Sequence, residues 1–221
     1  HVSLSWSVWT SVGIYPTDGT HPTGDITIID SLVAEALACS GVNSLIPCNP
    51  AFYPRFGFSN SRAMLIRNSG GVTLLRNVFA NNNDRHPETG GKTQTILVNN
   101  MIYNPSLTPW AGVLFADPFK EGVTSSVLRG NVLIAGPTTP GHNGYIPPEY
   151  PEEGEVRFVR VDLSLNPGSR IYPDGNYYEK HCGDAACLAN PAAQWMLAKD
   201  NLAQGLGLSV RALAPPLRLA N

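Results

Sequence analysis

The segments TIIDSLV (27–33), TLLRNVF (73–79), ILVNNMI (96–102) and VLRGNVL (127–133) superpose without gaps, each an apolar run broken at one fixed place by a polar residue. That residue is in turn Ser31, Asn77, Asn100 and Asn131. Asn77 and Asn100 lie 23 residues apart, and Ser31 and Asn77 twice that, a distance two coils would fill. The 31 residues from Asn100 to Asn131 fit one coil plus a loop extension such as NPSLTPWAG (104–112). Asn176, in GNYY, continues the column after the excursion GPTTPGHNGYIPPEYPEEG (136–154). A unit of about 23 residues is too short for a helix pair and suits one turn of a β-solenoid. Strands of successive coils then stack on equivalent positions, so a recurring asparagine can hydrogen-bond along the axis as an amide ladder. The reading is a right-handed parallel β-helix. A β-sandwich is the competing all-β architecture, but it offers no reason for a fixed polar column.

The bulk composition agrees. The chain has 221 residues, 43% hydrophobic and only 14% charged, with 21 Gly and 19 Pro, which favours many tight turns between short strands over long exposed helices. One domain over 1–221 is expected. Within it, 189–221 forms a helix and tail flanking or capping the last coils. Pro191 suits a first helical position, Trp195, Leu197 and Leu202 give a partial apolar face, and Gly205 can end the helix. The N-terminal side has no such cover, which predicts further coils or a partner chain before His1.

The net charge of −2 and the absence of a Lys/Arg run remove the attraction that dominates nucleic-acid binding. No run of about 18 apolar residues is present, so no membrane span is expected, and no signal peptide or initiator Met is visible. The cysteines fall as two near pairs, Cys39 with Cys48 and Cys182 with Cys187. Two local disulfides in a secreted, extracytoplasmic protein are one reading; zinc is the other, although CGDAAC does not have the usual CxxC spacing.

From His1 to about Asn176 the sequence resembles the pectate lyase family of polysaccharide lyases, which are right-handed parallel β-helices. HVSLSWS (1–7) is similar to the family's strand running from Asp-His to Ser-Trp-Ser. NSRAMLI (60–66) resembles its His-Ser-Lys-Gly-Met-Leu-Ile segment. FANNNDRHP (79–87) followed by VNNMIYNP (98–105) resembles its Asn-Asp-Arg-x-Pro turn and Asn-Asn-x-x-Tyr-Asn strand.

The resemblance implies cleavage of a 4-linked acidic (uronic-acid) polysaccharide such as pectate by β-elimination. A base removes the weakly acidic C5 proton while the neighbouring carboxylate is neutralised, commonly by Ca²⁺ held on several oxygen ligands. Carried over position by position, Arg85 matches the family's proton-abstracting arginine. Arg62 matches its substrate-binding lysine and can clamp a carboxylate bidentately. An arginine base runs against the rule that guanidinium stays protonated, and a turn arginine bonding backbone carbonyls is the structural reading of Arg85.

The sequence departs from the family at Gly90, which stands where a second arginine is usual; Lys92 replaces it only if the loop bends back. Trp9 and Thr10 stand where relatives often carry acidic residues. The acidic calcium ligands are not found in this chain, and Asp84 is a lone candidate that does not make a calcium site by itself. His86, beside Arg85, is a substrate contact or a turn residue. Trp9 and Trp110, with Trp6, Tyr15 and Tyr103 nearby on the repeat, are core or stacking residues, or they line a saccharide groove. His1 with His21, His86 or His142 could be drawn as a copper pair, but the match of His1 to a mid-strand family histidine accounts for it; His181 reads as a solvated loop residue. The competing functional reading is a non-catalytic β-helix that binds glycan or forms part of a larger assembly. A hydrolase would need paired carboxylates, and none stands out near Arg85.

Overall fold

The computed structural model describes residues 2–7, 10–16, 23–36, 61–105, 112–139, 142, 158–162, 164–178 and 184–189. Within them the chain winds through strands taken three at a time. After β1 (Ser3–Ser5), the first coil holds β2 (Thr10–Ile14), β3 (Ile26–Ile29) and β4 (Leu32–Ala34). The second holds β5 (Arg62–Arg67), β6 (Gly71–Leu75) and β7 (Val78–Ala80), and the third β8 (Glu88–Gly90), β9 (Gln94–Val98) and β10 (Met101–Tyr103). The fourth holds β11 (Val113–Phe115), β12 (Ser125–Arg129) and β13 (Val132–Ile134), and the fifth β14 (Val159–Val161), β15 (Arg170–Asp174) and β16 (Tyr177–Tyr178).

Equivalent strands of successive coils pair in parallel. They form a first sheet β1-β4-β7-β10-β13-β16, a second sheet β2-β5-β8-β11-β14 and a third sheet β3-β6-β9-β12-β15. This is a parallel β-helix, and the stacking of parallel strands disposes of the sandwich, whose sheets are antiparallel.

Burial alternates with a period of two along the longer strands, the pattern of a pleated strand with one face inward. The inward positions form continuous columns. In the first sheet Val33, Phe79, Ile102, Leu133 and Tyr178 stack at 1–2% exposure. In the third, Leu74, Leu97 and Leu128 stack at 0–2%. In the second, Ile66, Thr89, Phe115 and Val161 are fully enclosed. Each such large apolar side chain contributes roughly 1.5–3 kcal/mol by leaving water. Leu4 opens the first-sheet column at 38% exposure.

The repeating asparagine sits where the third sheet turns into the first. Asn100 Oδ1 accepts from Asn77 N–H (2.9 Å) and Nδ2 (3.1 Å), and Asn100 Nδ2 donates to Leu74 O and to Asn131 Oδ1, both at 2.9 Å. Asn131 repeats the pattern onto Asn176, and Ser31 N–H donates to Asn77 Oδ1 at 3.0 Å. The residue before each ladder member, Asp30, Arg76, Asn99, Gly130 or Gly175, has a positive φ of 51–61°. That left-handed residue turns the chain sharply between two strands and costs strain at Asp30 and Arg76, which the buried amide bonds offset.

One expectation changes. β3 and β4 pair directly with β6 and β7, so Ser31 to Asn77 is one long coil, not two. Its extra length falls largely at 37–60, outside the described residues. At the C-terminal side a short helix, α1 (Ala185–Ala189), is described, while the helix expected from Pro191 lies outside the described residues.

Candidate functional site

The start of β5 and the turn leading into β8 lie side by side on the second sheet. Arg62 bridges to Asp84, whereas Leu65 pairs with Glu88. Three residue steps on β5 are thus matched by four on its neighbour, and the surplus residue is taken up around Arg85, whose φ is 62°. Backbone bonds hold this bulged turn from both sides. On one, Ala63 N–H donates to Asp84 O (3.1 Å) and Met64 N–H to Arg85 O (2.9 Å); on the other, Leu114 N–H donates to Pro87 O (2.9 Å) and His86 N–H to Gly112 O (3.3 Å). A non-glycine residue held in this way in the left-handed region marks a position whose side-chain direction the fold fixes.

The turn gathers four charged side chains. Arg62 Nε lies 3.8 Å from Asp84 Oδ1, a charge contact too long for a hydrogen bond, with side chains 13% and 9% exposed. Arg85 Nε lies 2.6 Å from Glu88 Oε2, with side chains 17% and 8% exposed. Burial pushes the Asp84 carboxyl up to about 7, against the pull of Arg62 and Arg85 and with a smaller push from Glu88. Burial, then the neighbouring Arg85 charge, hold the Arg62 guanidinium below its ordinary proton affinity, opposed by Asp84 and Glu88.

Arg160 extends the cluster. On the second sheet Glu88 and Arg160 flank Leu114 in one outward column, and all three are buried. Arg62, Arg85 and Arg160 thus share one poorly solvated stretch of the sheet with Asp84 and Glu88, and protonation of Asp84 lowers the negative charge there. A carboxylate is the anion whose geometry suits a planar guanidinium.

Of the residues singled out from sequence, the fold brings together Arg62, Asp84 and Arg85. His86 adjoins them but is buried at 1% exposure, so its ring does not form part of the exposed surface. Lys92 is exposed and lies past the Gly90–Gly91 pair, in a depression at the far ends of the same strands. Gly90 is not an open slot for an arginine, since a Cβ there would stand 1.5 Å from the Ala116 carbonyl oxygen. Trp6 is 68% exposed and donates from Nε1 to Glu35 Oε2 at 3.2 Å. Trp9, Trp110, His1, His21, His181 and both members of the Cys39–Cys48 pair lie outside the described residues, as do Cys182 and the side chain of Cys187.

Sequence reasoning missed Glu88 and Arg160. The three-residue spacing from Arg85 to Glu88 was a usable signal; Arg160 gave none, because only strand register sets it beside Leu114.

The described residues do not fit a calcium ion. Among the described residues no group of three or more His, Cys, Asp or Glu converges on a point. Asp84 faces two arginines, whereas Ca²⁺ takes six to eight oxygen ligands. Among the described residues no helix is long and apolar enough to cross a membrane.

A solenoid carrying an arginine–carboxylate cluster on the side of one sheet defines the class of site. Comparison with known proteins narrows it. The chain is similar to the probable pectate lyase C of Emericella nidulans, 26% identical over 212 residues, which are 90% of this chain and 40% of that protein. It is similar to the probable pectate lyase C of Neosartorya fischeri, 27% identical over 81% of this chain and 31% of that protein. To the probable pectate lyase C of Aspergillus terreus it is 28% identical over 63% of this chain and 26% of that protein. These distant homologues support a pectate lyase-like family, and nothing finer. The chain spans about 40% or less of the length of these relatives. No family model matches the chain, and no solved structure matches it.

Proposed function

We propose that this chain carries the catalytic face of a secreted polysaccharide lyase that cleaves an acidic (uronic-acid) polysaccharide such as pectate by β-elimination. The observation that carries the reading is the convergence of Arg62 and Arg85 around Asp84 in a buried turn. In this reading Arg62 takes the uronate carboxylate and withdraws charge from C5, a task for which a guanidinium suffices without a metal. Arg85 accepts the C5 proton. The electron pair left at C5 becomes the C4=C5 double bond, the C4–oxygen bond breaks, and the departing oxygen is protonated from water. Glu88 engages Arg85 at Nε, so the terminal guanidine nitrogens are the atoms left to meet substrate. The paired cysteines support an oxidising, extracytoplasmic setting.

A second reading, a glycan-binding β-helix without catalysis, is favoured by Gly90 and by the poor fit to calcium. The unsaturated uronate product absorbs in the ultraviolet, so incubation with polygalacturonate, with Ca²⁺ or with a chelator, separates the two. Activity that falls about 100-fold or more in Arg85→Ala is expected. Full activity in that variant sinks the mechanism, and binding without any product supports the second reading.

A further inference from the structure

The far ends of the same strands hold a second concavity. Tyr15, Leu65, Arg67, Asn68, Lys92 and Glu121 line an open depression of about 420 Å³. One wall is fixed. Arg67 donates from Nε (3.2 Å) and Nη2 (2.8 Å) to Glu121 Oε2, and its guanidinium lies 4.0 Å from the centre of the Phe119 ring. The Glu121 N–H donates to Asp117 Oδ1 at 2.9 Å, and Gly122 N–H to Oδ2 of the same carboxylate at 3.1 Å. Gly91 gives this wall its room, because a Cβ there would stand 2.2 Å from Glu121 Oε2.

Opposite features are left for a ligand. The Tyr15 ring is laid against Gly13, where a Cβ would stand 2.7 Å from Cε1, and it remains 54% exposed. Arg67 is engaged by Glu121, whereas exposed Lys92 has no ion-pair partner among the described residues. A flat aromatic platform beside an ammonium suits a sugar ring that bears a carboxylate. The depression and the arginine cluster share strand β5. Leu65 lines the depression and pairs with Glu88, and Arg62 and Arg67 stand at opposite ends of β5, about 17 Å apart at ~3.3 Å per residue.

We propose that this depression is a second subsite for a uronate residue of the same polymer, with Tyr15 stacking on the ring and Lys92 binding the carboxylate. It rests on the lyase reading for the direction of the chain along β5, but its binding test does not depend on catalysis. Affinity for long and short oligogalacturonides is measured by calorimetry in the Arg85→Ala protein, so that nothing is cleaved, and compared after adding Lys92→Asn or Tyr15→Ala. Asparagine at 92 tolerates the local φ of 52°. Each added substitution is expected to lower the long-to-short affinity ratio about tenfold, with Lys92→Arg restoring it and Gln94→Ala, on the third sheet, leaving it unchanged. An unaltered ratio in both Lys92→Asn and Tyr15→Ala overturns the subsite whatever the protein's activity. Loss of the ratio in a protein that makes no unsaturated product sustains the subsite and rejects the lyase reading instead.

Discussion

Replacing Asn100 by alanine tests what holds the coils in register. The Asn100 side chain is 3% exposed and makes four hydrogen bonds, two as acceptor and two as donor. After truncation Asn77 Nδ2 keeps Ile28 O, and Asn131 Oδ1 keeps Asn100 N–H. The Asn77 N–H, however, loses its acceptor inside a closed column. An orphaned buried donor costs about 1–3 kcal/mol, and the other three bonds ~0.5–1.5 kcal/mol each, so about 3–5 kcal/mol is expected after partial relaxation. That is a large part of the ~5–15 kcal/mol by which domains of ordinary size are stable. Ser31→Ala, at the ladder's end, gives up only the bonds to Ile29 O and from Val2 N–H and should cost about 1 kcal/mol. Urea titrations of the wild type and both variants, read as midpoint shifts at constant slope, measure the difference. If Asn100→Ala costs no more than Ser31→Ala, the buried amide column is not what stabilises the stack, and the apolar columns alone must hold it.

Two further predictions concern the candidate site. Restoring an arginine at position 90 should not recover a family-like site but unfold the third coil, because even Gly90→Ala drives a Cβ into the Ala116 carbonyl; a loss of more than about 3 kcal/mol in thermal or urea melts is expected, and a stable Gly90→Arg protein would refute it. For Asp84, the carboxyl has a folded value of about 7 against 3.8 for the free group, so its contribution to stability is fully present below about pH 4 and is lost as pH rises through about 7. Asp84→Asn should therefore flatten the pH dependence of stability between those limits, and an unchanged slope would show that Asp84 ionises normally in the fold.

Much of the fold was legible because its signal is local and repeated. An asparagine at one place in an apolar run names both the turn and the register, and the aligned segments are the same residues that pair across β3, β6, β9 and β12. The span from Ser31 to Asn77 misled for the opposite reason. Its length equals two coils, and nothing local separates a second coil from a long insertion. At the site, Arg62 and Arg85 were legible from motif resemblance, whereas Glu88 carried no motif and went unnamed.

By itself, then, the sequence determined the solenoid and the ladder, since each depends on residue type at a fixed spacing along the chain, while Arg62 and Arg85 were picked out by motif resemblance. Only the tertiary structure decided which charges meet. The surplus residue at Arg85 shifts the pairing between β5 and β8, setting Arg62 against Asp84 and Arg85 against Glu88. The stacking of β11 and β14 brings Arg160 up to Leu114, and that of β2, β5 and β8 sets Lys92 and Tyr15 around one depression. Lateral neighbours in a solenoid are set by loop lengths and bulges summed over whole coils, a quantity that no single stretch of sequence carries.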